Sequence, residues 1–252
     1  MVNFILLTTQ RSGATFVIKC LDNHPQIRCD YQTVFTQDSK WKFFSVDRPS
    51  SFYYKYRSSS LGRRLAHWFD REKLIHACMD DYLLTQPREV KAVGLKISYN
   101  HIDKYPAIAT WIKAHGVRVI HLVRYNVLKT LVSAETAKRR GVHQSTQSVA
   151  PVKVYLHPQK VTRHLQRRIR VVERYRERFA EQPYLELAYE SFVANQDVEL
   201  KRMLQFLEVD ERIPMSADLV KLNPDSLKAI IANYDEVARA LEGTTLEKYL
   251  TL

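Results

Sequence analysis

The chain has 252 residues, enough for one large domain or two small ones, and its 45% hydrophobic and 26% charged residues are those of a soluble globular protein. A net charge of +12 suits a polyanionic ligand, an acidic substrate or nucleic acid. Cys20, Cys29 and Cys78 are too widely spaced for a disulfide framework or a zinc site, and no stretch reaches the ~18 apolar residues of a membrane span.

The first two dozen residues organise the rest. Residues 4–8 form a short apolar run that predicts a buried strand. A strand opening this early is expected to leave no room for a signal peptide, which predicts a reduced, cytoplasmic protein. Thr9-Gln10-Arg11-Ser12-Gly13 is a polar turn, and a helix pattern begins at Ala14 and stops at Asn23-His24-Pro25. The free N–H groups and positive dipole end of such a helix attract anions. Arg11, Ser12 and Thr15 add a cation and two hydroxyls there. The loop lacks the second glycine and the Gly-Lys-Ser/Thr ending of a nucleoside-triphosphatase P-loop. Alone, it reads equally as an ordinary turn with a surface Arg.

Residues 26–35 predict a second extended segment. Residues 38–60 interleave aromatics with Lys, Arg and Ser, consistent with loops and short helices over a pocket or with core packing. One or two helices are predicted over 61–84, ended by Pro87. A strand at 92–98 precedes a helix at 106–115 closed by Gly116. The strongest strand signal is 117–123, followed by a helix at 126–139. Helical spacing then continues through 160–178, where eight Lys and Arg face two Glu. A solvated basic face accounts for that helix without a nucleic-acid partner. A short strand at 183–189 precedes a helix expected to be capped by Asp197. Asn223-Pro224 marks another helix start, and a last helix is predicted over 234–241. Strands alternating with helices predict an α/β fold around a mostly parallel sheet, with ligands beyond the carboxyl ends of the strands. The 9–16 loop, the end of the 92–98 strand and Arg124 then share one rim.

Arg124 follows the strand where a Mg²⁺-dependent triphosphatase usually has an Asp. A guanidinium there binds an anion directly and can do so bidentately. Ser133 lies nine positions on, in the next helix. A lone Arg in this place is also a common salt-bridge residue. Together with the first loop, it makes a second cationic anion site with no evident metal cage.

The segment from Thr9 to Phe16, followed by Asn23-His24-Pro25, resembles the 5′-phosphosulfate loop of sulfotransferases that use 3′-phosphoadenosine 5′-phosphosulfate (PAPS). The segment 123–133 resembles their 3′-phosphate motif, and 183–190 resembles the family's strand ending in Tyr-Glu. The tail from Asn223-Pro224 to Glu236 is similar to bacterial members of the carbohydrate, lipopolysaccharide and Nod-factor type. The resemblance covers nearly the whole chain, least well at 36–90. It implies a P-loop-like sheet in a single domain over 1–252, with 36–90 an acceptor-side insertion of helices and loops. It further implies that Arg11, Ser12, Gly13, Ala14, Thr15 and Phe16 hold the 5′-phosphosulfate, Arg124 and Ser133 the 3′-phosphate, and that Tyr189 lies near the nucleotide. The implied donor is PAPS, the product adenosine 3′,5′-bisphosphate, and no metal is required. Acceptors would be small-molecule, glycan or lipid-linked hydroxyls or amines.

An attacking hydroxyl or amine must lose a proton. Family members of this type often place a Glu shortly after the His-Pro segment, where this chain has Gln32. Asp30 is the nearest carboxylate and the favoured base, slightly ahead of His101, with Lys96 as a further candidate in the site. As sequence features, Asp30 is also a possible turn residue and His101 a possible surface loop residue. The competing functions are a nucleotide or metabolite kinase, and a non-catalytic basic protein that binds nucleotide or nucleic acid.

Overall fold

Largely apolar runs belong on strands buried on both faces. Three of them, flanked by two shorter and less buried edge strands, form one parallel sheet in a computed structural model, in the order β2 (Ile27–Asp30), β3 (Ala92–Ser98), β1 (Val2–Thr8), β4 (Arg118–Val123) and β5 (Tyr184–Ala188). The structure describes residues 1–30, 52–84, 89–140, 152–212 and 226–251. The elements in chain order are β1 (Val2–Thr8), α1 (Ala14–Asp22), β2 (Ile27–Asp30), α2 (Phe52–Ser58), α3 (Leu61–Phe69), α4 (Arg71–Leu83), β3 (Ala92–Ser98), α5 (Tyr99–Lys104) and α6 (Ala107–Ala114). They continue with β4 (Arg118–Val123), α7 (Val127–Arg140), α8 (Pro158–Arg178), β5 (Tyr184–Ala188), α9 (Tyr189–Ala194), α10 (Gln196–Leu207), α11 (Leu227–Ile230), α12 (Tyr234–Leu241) and a 3₁₀ turn at Glu247–Leu250. The fold is α/β, a parallel sheet flanked by helices, as the alternation of periods predicts.

β1 is central. The chain leaves it toward β2 and β3 on one side, then crosses to β4 and β5 on the other. That reversal is where open α/β sheets bind ligands. Thr8 pairs with Ser98 and with Leu122, so the carboxyl ends of β1, β3 and β4 form one level rim. Alternate residues feed two cores. Ile5, Leu7, Val93, Leu95, Ile97 and Val119 pack against α4, α5 and α6, while Phe4, Leu6, Ile120 and Leu122 pack against α1 and α10. A third cluster joins α7 and α8 to α11 and α12.

One polar chain is buried within the first core. His121 hydrogen-bonds the Tyr99 hydroxyl through Nε2 and the Tyr184 hydroxyl through Nδ1. Tyr184 also reaches Glu186, which Arg176 engages at 2.6 and 2.7 Å. Each member finds a partner, as a buried network requires. Burial pushes the His121 pKa down to about 4, so the ring stays neutral.

Three boundaries differ from the expectations. The strand predicted to run through 189 ends at Ala188, and β3 and β5 pass into the short helices α5 and α9 with no turn residue to announce them. The helix expected to be capped by Asp197 begins at Gln196, with its cap two residues earlier at Asn195. The Asn223-Pro224 start, Pro87, the aromatics at 38–51 and residues 31–35 lie outside the described residues. The basic segment 160–178 is α8. Its Val161, Leu165 and Tyr175 are buried, and Arg174 and Arg176 pair with Asp103 and Glu186.

Candidate active site

The turn after β1 is held open by its own backbone and side chains. Ser12 is buried, its hydroxyl bonded to Thr8 Oγ1 and donating to the Thr9 carbonyl at 2.8 Å. Ser12 therefore shapes the turn with its side chain and offers a ligand only its backbone N–H. Gly13 has φ 90°, and a Cβ there would lie 2.0 Å from the ring of Tyr189. Both the left-handed backbone and the close ring require glycine. Gly13 supplies no side-chain cap to α1, and the first turn of α1 contains no acidic residue. The helix thus presents its N-terminal N–H groups and dipole to the rim. Ala14 is buried, and Phe16 packs edge-on against Phe192 with centroids 5.4 Å apart.

Residues more than a hundred positions away close around this turn. Arg11 Nε donates to Ser133 Oγ of α7 at 3.1 Å. Ser133 accepts here, so its own O–H proton can serve an anion. Arg124 Nη1 donates to the Arg11 carbonyl at 3.4 Å, and its guanidinium lies 5.0 Å from the centroid of the Tyr189 ring. Arg124 Nε is buried and has no hydrogen-bond partner among the described residues. A buried donor without an acceptor costs about 1–3 kcal/mol, which an anionic oxygen would offset. The two anion sites expected from sequence therefore adjoin through Arg11. Among the described residues, no group of His, Cys, Asp or Glu is arranged to hold a metal ion.

This geometry meets an independent finding. A family model described as "Sulfotransferase family" matches residues 4–212. The chain belongs to the sulfotransferase family. Solved structures similar to it include a sulfotransferase from Alicyclobacillus acidocaldarius, 15% identical over 96% of this chain and 94% of that one, with a TM-score of 0.49. Another is the sulfotransferase domain from the curacin biosynthetic pathway, 13% identical over 95% and 90%, with a TM-score of 0.47. A search of curated proteins returned no match.

The sulfotransferase sequence nominated three further site residues, and the sheet sets Asp30 on β2 apart from Lys96 and His101, which neighbour each other at the end of β3. Lys96 pairs in register with Leu6, shares the α1 face of β3 with Ala92 and is partly buried. Burial pushes its ammonium pKa down, against an opposing contribution from Cys29. His101 stands in the first turns of α5, just past the carboxyl end of β3, where its Nδ1 accepts the Ser98 N–H at 3.4 Å. Burial, then the charges of Lys96 and Lys104, push its pKa down to about 4. His101 is therefore neutral near pH 7. Asp30 ends β2 level with Leu95 and Ile5. Its backbone is two strand spacings, about 10 Å, from β1 and three residues, roughly 10 Å, short of the level of Thr8.

Two roles in this region are not evident from the sequence. Glu190 accepts the N–H of Tyr125 at 3.0 Å and of Asn126 at 3.1 Å, fastening the segment that carries Arg124. An acid directly after Tyr189 was its only signal. His24 of the His-Pro segment is fully buried. Its Nδ1 accepts the Gln26 N–H at 3.2 Å, and Nε2 bonds the Asp210 carbonyl at 2.9 Å, so it ties α1 to the chain beyond α10.

Proposed function

We propose that this protein moves a sulfuryl group from PAPS to a hydroxyl or amine of a small-molecule, glycan or lipid-linked acceptor, as a cytoplasmic enzyme. The observation that carries this reading is the convergence of Arg11, Ser133, Arg124 and Tyr189 on one turn, with Arg124 Nε buried and without a hydrogen-bond partner among the described residues. Arg11 and the backbone of residues 12–16 would hold the 5′-phosphosulfate. Arg124 and Ser133 would hold the 3′-phosphate, and Tyr189 would lie beside the nucleotide. PAPS supplies a sulfuryl group already activated on a phosphate leaving group. Arg11 stabilises negative charge growing on the leaving phosphate oxygen. Because a sulfuryl group carries less charge than a phosphoryl group, fixed cations and helix N–H groups suffice for it without a metal. The whole of 1–252 would act as one domain, with 36–90 on the acceptor side.

For the acceptor's proton, geometry ranks ahead of pKa. His101 stands at the rim and is neutral, whereas the Asp30 backbone stops short of it. Accepting a proton at Nε2 requires His101 to give up the long bond from the Ser98 N–H. Lys96, beside it, would neutralise charge on the sulfuryl oxygens. Thermal-shift titration tests the donor assignment. Stabilisation by adenosine 3′,5′-bisphosphate in EDTA is the expected result, and stabilisation by ATP–Mg²⁺ alone would indicate a kinase instead. Asp30→Asn and His101→Asn, compared for turnover at matched nucleotide affinity, identify the base.

A further inference from the structure

Helix α3 turns its polar side toward the protein and exposes its apolar side. At 3.6 residues per turn, Leu61, Leu65, Trp68 and Phe69 fall within an arc of about 100°. Their exposures are 72%, 49%, 78% and 86%. The opposite side faces the protein. His67 bonds Tyr53 Oη at 3.0 Å and Arg57 Nη1 at 3.1 Å, Arg63 lies 3.9 Å over the ring of Tyr56, and Ala66 packs on the first core. No residue of α3 is buried. Each large apolar side chain left in water forgoes about 1.5–3 kcal/mol of burial, and four adjacent ones make a docking surface.

Charge decides what docks. Residues 52–75 contain Lys55, Arg57, Arg63, Arg64, Arg71 and Lys73 against Asp70 and Glu72, a net of 6 − 2 = +4. Arg64 is exposed and borders the apolar arc. The whole chain carries +12, so a second copy brings the same repulsive charge. An anionic bilayer surface offers the opposite charge and an apolar layer beneath it. Aromatic and leucine side chains with basic neighbours are the composition of helices that lie in such an interface. Among the described residues, no helix is long and apolar enough to cross a membrane. We propose that α3 docks the protein onto anionic lipid surfaces, with Leu61, Leu65, Trp68 and Phe69 entering the headgroup boundary and Arg64 pairing with lipid charge. Tyr53 of α2 lies 5.7 Å from Tyr105, the residue closing α5, so α3 is carried close to the helix that follows β3. The proposal rests on this surface alone and is independent of what the site transfers.

Cosedimentation of the full chain with vesicles of phosphatidylglycerol and of phosphatidylcholine tests it. Binding is expected to the anionic vesicles only, and to weaken as salt is raised. The double variant Trp68→Ser/Phe69→Ser should bind at least about tenfold more weakly, and Arg64→Glu a few-fold. Both should unfold at the wild-type temperature, because the altered side chains are exposed. No binding to phosphatidylglycerol, or binding that survives the double variant, overturns the proposal. So does a wild-type dimer in sedimentation that the double variant dissociates, because the face would then belong to a second copy.

Discussion

Two helices begin at the same rim, and their N-termini are treated oppositely. Helix α7 is closed by the protein's own groups. Glu190 accepts the Tyr125 and Asn126 N–H groups, and Asn126 Oδ1 accepts the Lys129 N–H at 2.8 Å. Helix α1 has glycine before it, no side-chain cap and no acid in its first turn. A helix N-terminus is an anion site only where no internal carboxylate has occupied it. The rim therefore draws its two cationic elements from different sources: backbone N–H groups with Arg11 at α1, and the guanidinium of Arg124 beside the occupied α7.

The largest test of this contrast is Arg11→Ala. Loss of a cation acting on developing charge should lower kcat by about 10²–10³, roughly 3–4 kcal/mol, as read by single-turnover transfer from PAPS. Turnover within a few-fold of wild type would remove Arg11 from its role. Gly13→Ala attacks the same turn sterically. Positive φ and the Tyr189 ring together should cost about 2–4 kcal/mol in urea unfolding. The double variant Gly13→Ala/Tyr189→Ala should recover the clash but not the backbone strain.

Arg124→Ala probes the other element. Adenosine 3′,5′-bisphosphate should bind roughly 10- to 100-fold more weakly, about 1.5–3 kcal/mol by calorimetry. The same change deletes a buried donor that lacks a partner, so the unliganded protein should melt close to wild type despite the lost contacts with Tyr189 and the Arg11 carbonyl. A large fall in Tm would mean that Arg124 is structural. Acid sharpens the picture from the core. The unfolded chain protonates His101 and His121 near pH 6.5, whereas the fold holds both neutral to about 4. More protons bind the unfolded state in this window, so stability is full above pH 6.5 and falls as pH drops toward 4. The slope is about 1.4 kcal/mol per pH unit for each histidine. His101→Asn should reduce that slope, measured from urea midpoints across pH. The smallest effect belongs to Glu190→Gln. The amide keeps one acceptor but loses the charge at α7, costing about 1 kcal/mol of stability. Nucleotide affinity should weaken modestly through Arg124, with kcat unchanged.

Much of the candidate site was legible because its signals are local. The turn after β1 is written in consecutive residues, and Arg124 and Ser133 lie nine apart on a strand and the helix it feeds. The short helices α5 and α9 were hidden because strand residues pass into them with no Gly or Pro, so Tyr189 reads as strand from the pattern and as helix in the fold. The ranking of His101 and Asp30 depends on register across three strands, which no local period reports.

The sequence by itself determined the alternation of strand and helix, the cationic turn before α1, the Arg in place of a carboxylate after β4, and the excess of positive charge. Those are properties of neighbouring residues and of composition. Only the tertiary structure decided that Tyr189 covers Gly13, that Glu190 occupies the start of α7, that Arg11 meets Ser133, and that α3 turns its apolar side outward. Each depends on which elements the fold brings side by side, and contacts between residues far apart in the chain leave no period for a local pattern to reveal.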